Sequence, residues 1–440
     1  MTQPAARRLL LGLAVALALA DGSVVTLALP DILADFDVEI PTVAWVLTSY
    51  NIVLALAAVP AALLARRRAR TVCVTGVVVF AVASAACAVA PSFAVLLGAR
   101  CLQALGGAAL ITASLELLAA QEPSDEDAVR LWVRAGILGA ALGPAAGGIV
   151  TQVLGWEWIF ALQVPAALVA LAAMRGAPTR EQVAGPSERP DVPINAALAL
   201  LSAALAAALF LLVLLLVNGW RLEPAAAGVV VTVMPVAAVL ATRYAWRIEG
   251  LLVRAAAGAI LVAGGLAALG LLPGANWLWT IPPQVLVGAG LGLALSALTQ
   301  RALAGRAPQV LHGGWTIASR HAGVVLGLLL LTPLFTAALD RNQDEALSST
   351  AAVLDSAVPP LDKLRVAQDV LTEVDRAQGR MPDVAPAFQG HDEPAYRSLE
   401  AALVDQLDRA ATNAFSSSFL LGAGLALAAL VPLAFAVRRR

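Results

Sequence analysis

Long apolar runs dominate the chain, and short polar or Pro/Gly-rich breaks cut them at regular intervals. Cutting at Pro, Gly and charge clusters predicts twelve spans. The first six are 8–30, 42–64, 70–90, 93–119, 128–152 and 156–174, and the second six are 194–217, 225–246, 251–272, 277–303, 308–339 and 412–437. Most of these runs reach the roughly 20 residues that a helix needs to cross a bilayer. The stretch 176–193, rich in Pro, Glu and Arg, separates the two groups of six and predicts a cytoplasmic linker between an N-terminal bundle (1–175) and a C-terminal bundle (194–440). Arg7 and Arg8 before an Ala/Leu run resemble a secretory signal, but the apolar stretch continues through Asp21 to Pro30, too long for a signal core. It is read as the first span.

Composition narrows the class further. Of 440 residues, 60 % are hydrophobic and only 13 % are charged, whereas soluble domains hold about 25 % charged residues. A water-soluble globule, a disordered chain and a nucleic-acid binder are thereby excluded. Cys73, Cys87 and Cys101 all lie inside apolar runs, without metal-ligand spacing or a disulfide framework. No metal and no cofactor is expected, and the absence of a Gly-x4-Gly-Lys-Ser/Thr loop disfavours an ATP-driven pump.

Charge placement predicts orientation. With the N-terminus inside, 19 of the 29 basic residues fall in inner segments, among them Arg66, Arg67, Arg68 and Arg70, and the short outer loops hold only Arg221. Both termini are thus expected in the cytoplasm, with the chain multi-pass in the cytoplasmic membrane. Six tryptophans, Trp45, Trp156, Trp158, Trp220, Trp277 and Trp279, fall at outer span ends, where an interfacial belt belongs. Residues 340–411 read as a long outer loop with 14 acidic and seven basic residues. Two amphipathic helices are predicted in it, one with Leu361, Leu364, Leu371 and Val374 on one face and one with Leu399, Leu403 and Leu407.

Ionisable groups inside spans are costly and mark functional candidates. Asp21 and Arg100 fall at similar depth, roughly 14 and 11 Å from the outer face at 1.5 Å per residue. They are the candidate proton-coupling pair, with a permanent structural ion pair as the alternative. Gln103, one turn from Arg100, is placed in the same cavity. Glu116 and Arg134 are a candidate inner gate. Arg320 lies about 18 Å into span eleven and must face a cavity or a partner. His321 beside it reads more readily as a packed polar residue than as a proton relay.

Span five carries Gly139-x-x-x-Gly143-Pro144-x-x-Gly147-Gly148. Glycines at this spacing let helices approach closely, and Pro144 permits a bend. The string resembles the antiporter motif of the major facilitator superfamily. Asp21-x4-Thr26-Leu-Ala-Leu-Pro30, Trp45-Val-Leu-Thr-Ser-Tyr50, Arg100-Cys-Leu-Gln103 and Trp156-Glu-Trp158-Ile-Phe160 are similar to sequences of that family's drug:proton antiporters. The resemblance implies an all-α facilitator fold of twelve helices in two six-helix bundles. It also implies proton-coupled efflux of amphipathic or drug-like molecules by alternating access, with no enzymatic activity. The implied partners are the bilayer, a small-molecule substrate and protons, acting on a monomer. A lipid or envelope-glycolipid exporter and a non-transporting scaffold are the alternatives. Departures occur between spans two and three, where Ala65 replaces the usual acid and both glycines are missing, and at Thr26, Ala104 and Glu116.

Overall fold

The computed structural model describes residues 3–174, 178–179, 188–357, 372, 384–389 and 394–438. Its principal helices are α1 (Gln3–Asp35), α2 (Trp45–Ala88), α3 (Phe93–Ala119), α4 (Asp125–Leu154), α5 (Glu157–Met174), α6 (Val192–Ala206), α7 (Pro224–Tyr244), α8 (Leu251–Gly270), α9 (Ile281–Leu303), α10 (Gln309–Ala357), α11 (Pro394–Ala428) and α12 (Leu430–Arg438). No strand occurs among the described residues. Ten helical stretches are long and apolar enough to cross a membrane. One of them, Ile40–Ala88, has 49 residues, about twice what a bilayer requires. Its backbone leaves helical geometry at Arg68 (φ −143°, ψ 53°), inside the arginine cluster. The stretch therefore holds two spans. Counting these two separately, and adding the shorter apolar helix α5, accommodates the twelve spans expected from the sequence.

The helices before and after the linker form two bundles built from the same close crossings. Gly76 on α2 lies against Gly106 on α3, and Gly258 on α8 lies against Gly290 on α9. Gly139 on α4 lies against Ala16 of α1, and Gly323 on α10 against Ala199 of α6. At each crossing a β-carbon would strike backbone atoms of the neighbouring helix, so the glycines set the interhelical distance.

The most apolar span, Val192–Gly219, lies in the middle of the protein. Leu211 to Leu216 are all buried, and two π-helical turns, Ala207–Leu211 and Leu215–Gly219, widen the continuation of α6.

Two span limits expected from the sequence need correction. Helix runs past the predicted span limits at 339 and 412 into the predicted outer segment. The helix of span eleven continues to Ala357, and the last helix begins at Pro394. Both extensions are rich in Ala, Leu and acidic residues, with no internal Pro or Gly. The change from apolar to polar residues marks an end of the apolar span without ending the helix. Leu403 and Leu407 are buried on one face of α11, while Leu361, Leu364, Leu371 and Val374 lie outside the described residues. The six tryptophans at predicted outer span ends differ in exposure. Trp45, Trp158, Trp277 and Trp279 are exposed, but Trp156 and Trp220 are buried, with their indole N–H groups donating to Asp35 Oδ2 (2.7 Å) and Thr412 Oγ1 (3.1 Å).

Candidate functional site

Asp21 on α1 and Arg100 on α3 form an ion pair, with Arg100 Nη1 2.6 Å from Asp21 Oδ2 and neither side chain exposed. Removing two charges from water costs several kcal/mol each, which hydrogen bonds to the pair's other atoms offset in part, while Arg100 Nη2 has no hydrogen-bond partner among the described residues. Gln163 Nε2 on α5 donates to Asp21 Oδ1 at 2.9 Å. Arg100 Nε donates to the Val46 carbonyl at 3.3 Å. The guanidinium lies 4.1 Å over the Tyr50 ring and 5.6 Å from that of Phe160, giving cation–π contact on top of the Coulomb attraction.

Gln103 extends the network. Its Oε1 accepts from Arg100 Nη1 at 2.5 Å. Its Nε2 donates to Gln163 Oε1 at 2.6 Å and to Ser84 Oγ at 2.8 Å, and Ser84 Oγ donates to the Phe80 carbonyl at 2.7 Å. Side chains of α1, α2, α3 and α5 thus share one network around the Asp21–Arg100 pair. Gln163 and Ser84 were not singled out in the sequence. Their only signal is an uncharged polar side chain in an apolar run, and Ser84 sits among many small residues.

Beside the pair, on the other side of the α1 backbone, lie two cavities of about 100 and 120 Å³ between the bundles. Leu19, Ala140, Leu205, Leu209 and Arg320 line both. Gly22 and Ser23 line the larger, while the Asp21 side chain points away from it into the network. His321 also lines this cavity, with Nδ1 2.6 Å from Asn51 Oδ1 of the other bundle. Asn51 Nδ2 donates to the Leu47 carbonyl, which leaves its Oδ1 as acceptor and fixes the His321 proton on Nδ1.

The glycine string of α4 has two faces. Gly139, Gly143 and Gly147 press on α1 at Ala16, Ser23 and Val24. Gly148 presses on Pro224 of α7, in the other bundle, and a β-carbon on Gly228 would come 2.6 Å from the Pro144 carbonyl oxygen. One helix therefore contacts the carboxylate helix within its own bundle and the facing bundle across the interface.

The structure does not join Glu116 to Arg134. Glu116 is buried on α3, but Arg134 is exposed on α4. The reason is helical geometry. Trp132 turns toward α3 and donates to the Ile111 carbonyl at 3.0 Å, and a residue two positions on lies about 200° around the helix. Arg134 therefore faces away from α3.

Comparison with known proteins agrees with this geometry. Residues 11–338 match the Major Facilitator Superfamily. The multidrug resistance protein Stp of Mycobacterium tuberculosis is 37 % identical over 161 residues, which are 35 % of this chain and 29 % of that protein. The methylenomycin A resistance protein of Bacillus subtilis is 32 % identical over 167 residues, covering 37 % and 36 % of the two chains. The tetracenomycin C resistance and export protein of Streptomyces glaucescens is 35 % identical over 156 residues, covering 35 % and 29 %. The matched segments thus span about a third of the length of these relatives. A crystal structure of a bacterial homologue of the human lysosomal transporter Spinster, inward-facing and unoccupied, superposes with a TM-score of 0.64 at 15 % identity, covering 98 % of each chain. Apolar spans in two glycine-packed bundles, the match over 11–338 and this shared fold have one explanation: the chain is a multi-pass membrane protein and belongs to the Major Facilitator Superfamily.

Proposed function

We propose that this protein exports amphipathic or drug-like small molecules across the cytoplasmic membrane in exchange for protons. The two bundles rock about the central cavity, and both termini are cytoplasmic. The observation that carries the reading is the Asp21–Arg100 pair, fully buried one helix face away from the cavity wall. A proton on Asp21 cancels the negative half of the pair and removes the charge that Gln163 and Arg100 hydrogen-bond. The network linking α1 to α2, α3 and α5 then loosens on the helix whose other face, at Gly22 and Ser23, borders the cavity. Cargo in the cavity and a proton on Asp21 thereby act on the same element from opposite sides. The drug-resistance relatives support the choice of cargo class.

The test is dye transport in everted vesicles with an imposed pH gradient. Asp21→Asn keeps the shape of a protonated aspartate, a state the cycle itself must visit, and removes the titration. Gradient-driven transport is expected to collapse in Asp21→Asn and to persist in part in Asp21→Glu, with both variants inserted at wild-type levels. Wild-type rates in Asp21→Asn would remove this carboxylate from the coupling mechanism.

A further inference from the structure

The chain places two arginines within its apolar spans and treats them differently: Arg100 is fully buried, and Arg320 is partly exposed. Arg100 has Asp21, Gln103 and the Val46 carbonyl as acceptors. Arg320 lines both central cavities and has no hydrogen bond or ion pair among the described residues. No aspartate or glutamate lines either cavity, and Asp21 is turned away and already engaged by Arg100. The walls around Arg320 are otherwise mostly Ala, Leu, Val, Ile, Met and Gly, with a few hydroxyl groups. One of these belongs to Ser202, which is 1 % exposed, lines the larger cavity and has an Oγ with no hydrogen-bond partner.

A guanidinium stays protonated at any physiological pH, and its planar donors fit carboxylate, sulfonate and phosphate oxygens. In a cavity of low dielectric, an uncompensated cation repels cationic ligands strongly and attracts anions by the same amount. The Arg320 side chain is partly exposed at the cavities rather than closed off in the core, so a ligand entering them reaches its donors. We infer that the partner of Arg320 is the cargo, and that this transporter carries amphipathic organic acids: molecules with an apolar body for the Leu/Ala walls and one anionic group held by Arg320, with Ser202 Oγ as a second donor. The inference rests on the reading of the central cavity as the cargo site and adds the charge of the cargo to it.

The test uses two dyes on the same xanthene framework, anionic fluorescein and cationic rhodamine 123. Their binding to purified protein in phosphatidylcholine nanodiscs is followed by fluorescence polarisation. Wild type is expected to bind fluorescein saturably and in preference to rhodamine 123. Arg320→Gln is expected to weaken fluorescein binding at least tenfold without weakening rhodamine 123, Arg320→Lys to retain most of it, and Arg320→Glu to reverse the preference. Equal fluorescein affinity in wild type and Arg320→Gln, a wild-type preference for rhodamine 123, or no saturable binding of either dye would overturn the inference. A parallel series in phosphatidylglycerol nanodiscs separates cargo from lipid. Competitive loss of fluorescein binding there would assign Arg320 to a lipid headgroup and contradict the cargo assignment. Binding needs no pH gradient and is read on the Arg320 variants, whereas proton coupling is read on Asp21→Asn in the transport assay. Failure of proton coupling and failure of the anion site are therefore read separately.

Discussion

Gln163 donates to Asp21 across 2.9 Å while accepting from Gln103. The neutral amide thus bridges the carboxylate and the residue that also holds Arg100. Gln163→Leu strands both Asp21 Oδ1 and Gln103 Nε2 on that side. A buried polar atom left without its partner costs about 1–3 kcal/mol. Gln163→Leu is expected to lower the melting temperature of the detergent-solubilised protein and to slow gradient-driven transport. The double variant with Gln103→Leu is expected to lose less stability than the sum of the two single variants, with coupling of about 0.5–3 kcal/mol.

The two faces of the α4 glycine string separate two effects. Gly139→Ala drives a methyl group into the Ala16 carbonyl inside one bundle. It should reduce thermal stability. Gly148→Ala meets Pro224 in the other bundle, where rigid-body separation relieves the clash. Its melting temperature should stay near wild type, while a cysteine placed at Leu209, in the cavity wall, should react faster with a thiol reagent than the same cysteine in the wild-type background.

Glu116 and Arg134 should behave as independent charges, because Arg134 faces away from α3. Reversing both is expected to change transport by the product of the two single effects. Rescue of either single reversal by the other would show that the pair meets in another conformation of the cycle.

Topology is tested at Ser348, in the extension of α10 beyond the predicted span. A cysteine there is expected to react with an impermeant thiol reagent in intact cells, because the arginine-rich segments assign the opposite end to the cytoplasm. Labelling only after lysis would invert the orientation.

The span pattern and the charged half of the site were legible in the sequence for the same reason. Asp21 and Arg100 stand out because a charge in an apolar run has no inexpensive alternative to pairing, and their depths matched. Arg320 was legible as a cavity residue on the same ground. Gln163 was not, since an uncharged amide in a span carries little penalty and its partner lies 142 positions away. The Asn51–His321 contact joins two bundles, and nothing local in either helix encodes that docking. The helix continuing past 339 to Ala357 was missed because hydropathy reports the solvent around a helix, whereas Ala- and Leu-rich polar sequence continues the helix itself.

The central claim is that Asp21 is the proton site, and proton counting tests it most directly. Purified protein in weakly buffered detergent at neutral pH is mixed with saturating fluorescein or rhodamine 123, and the pH change is followed with a glass electrode. Exchange of cargo for a proton predicts release of protons from wild type on addition of whichever dye binds. It predicts none from Asp21→Asn with the same dye bound. Equal proton release from both proteins would contradict the account and place the titrating group elsewhere in the chain.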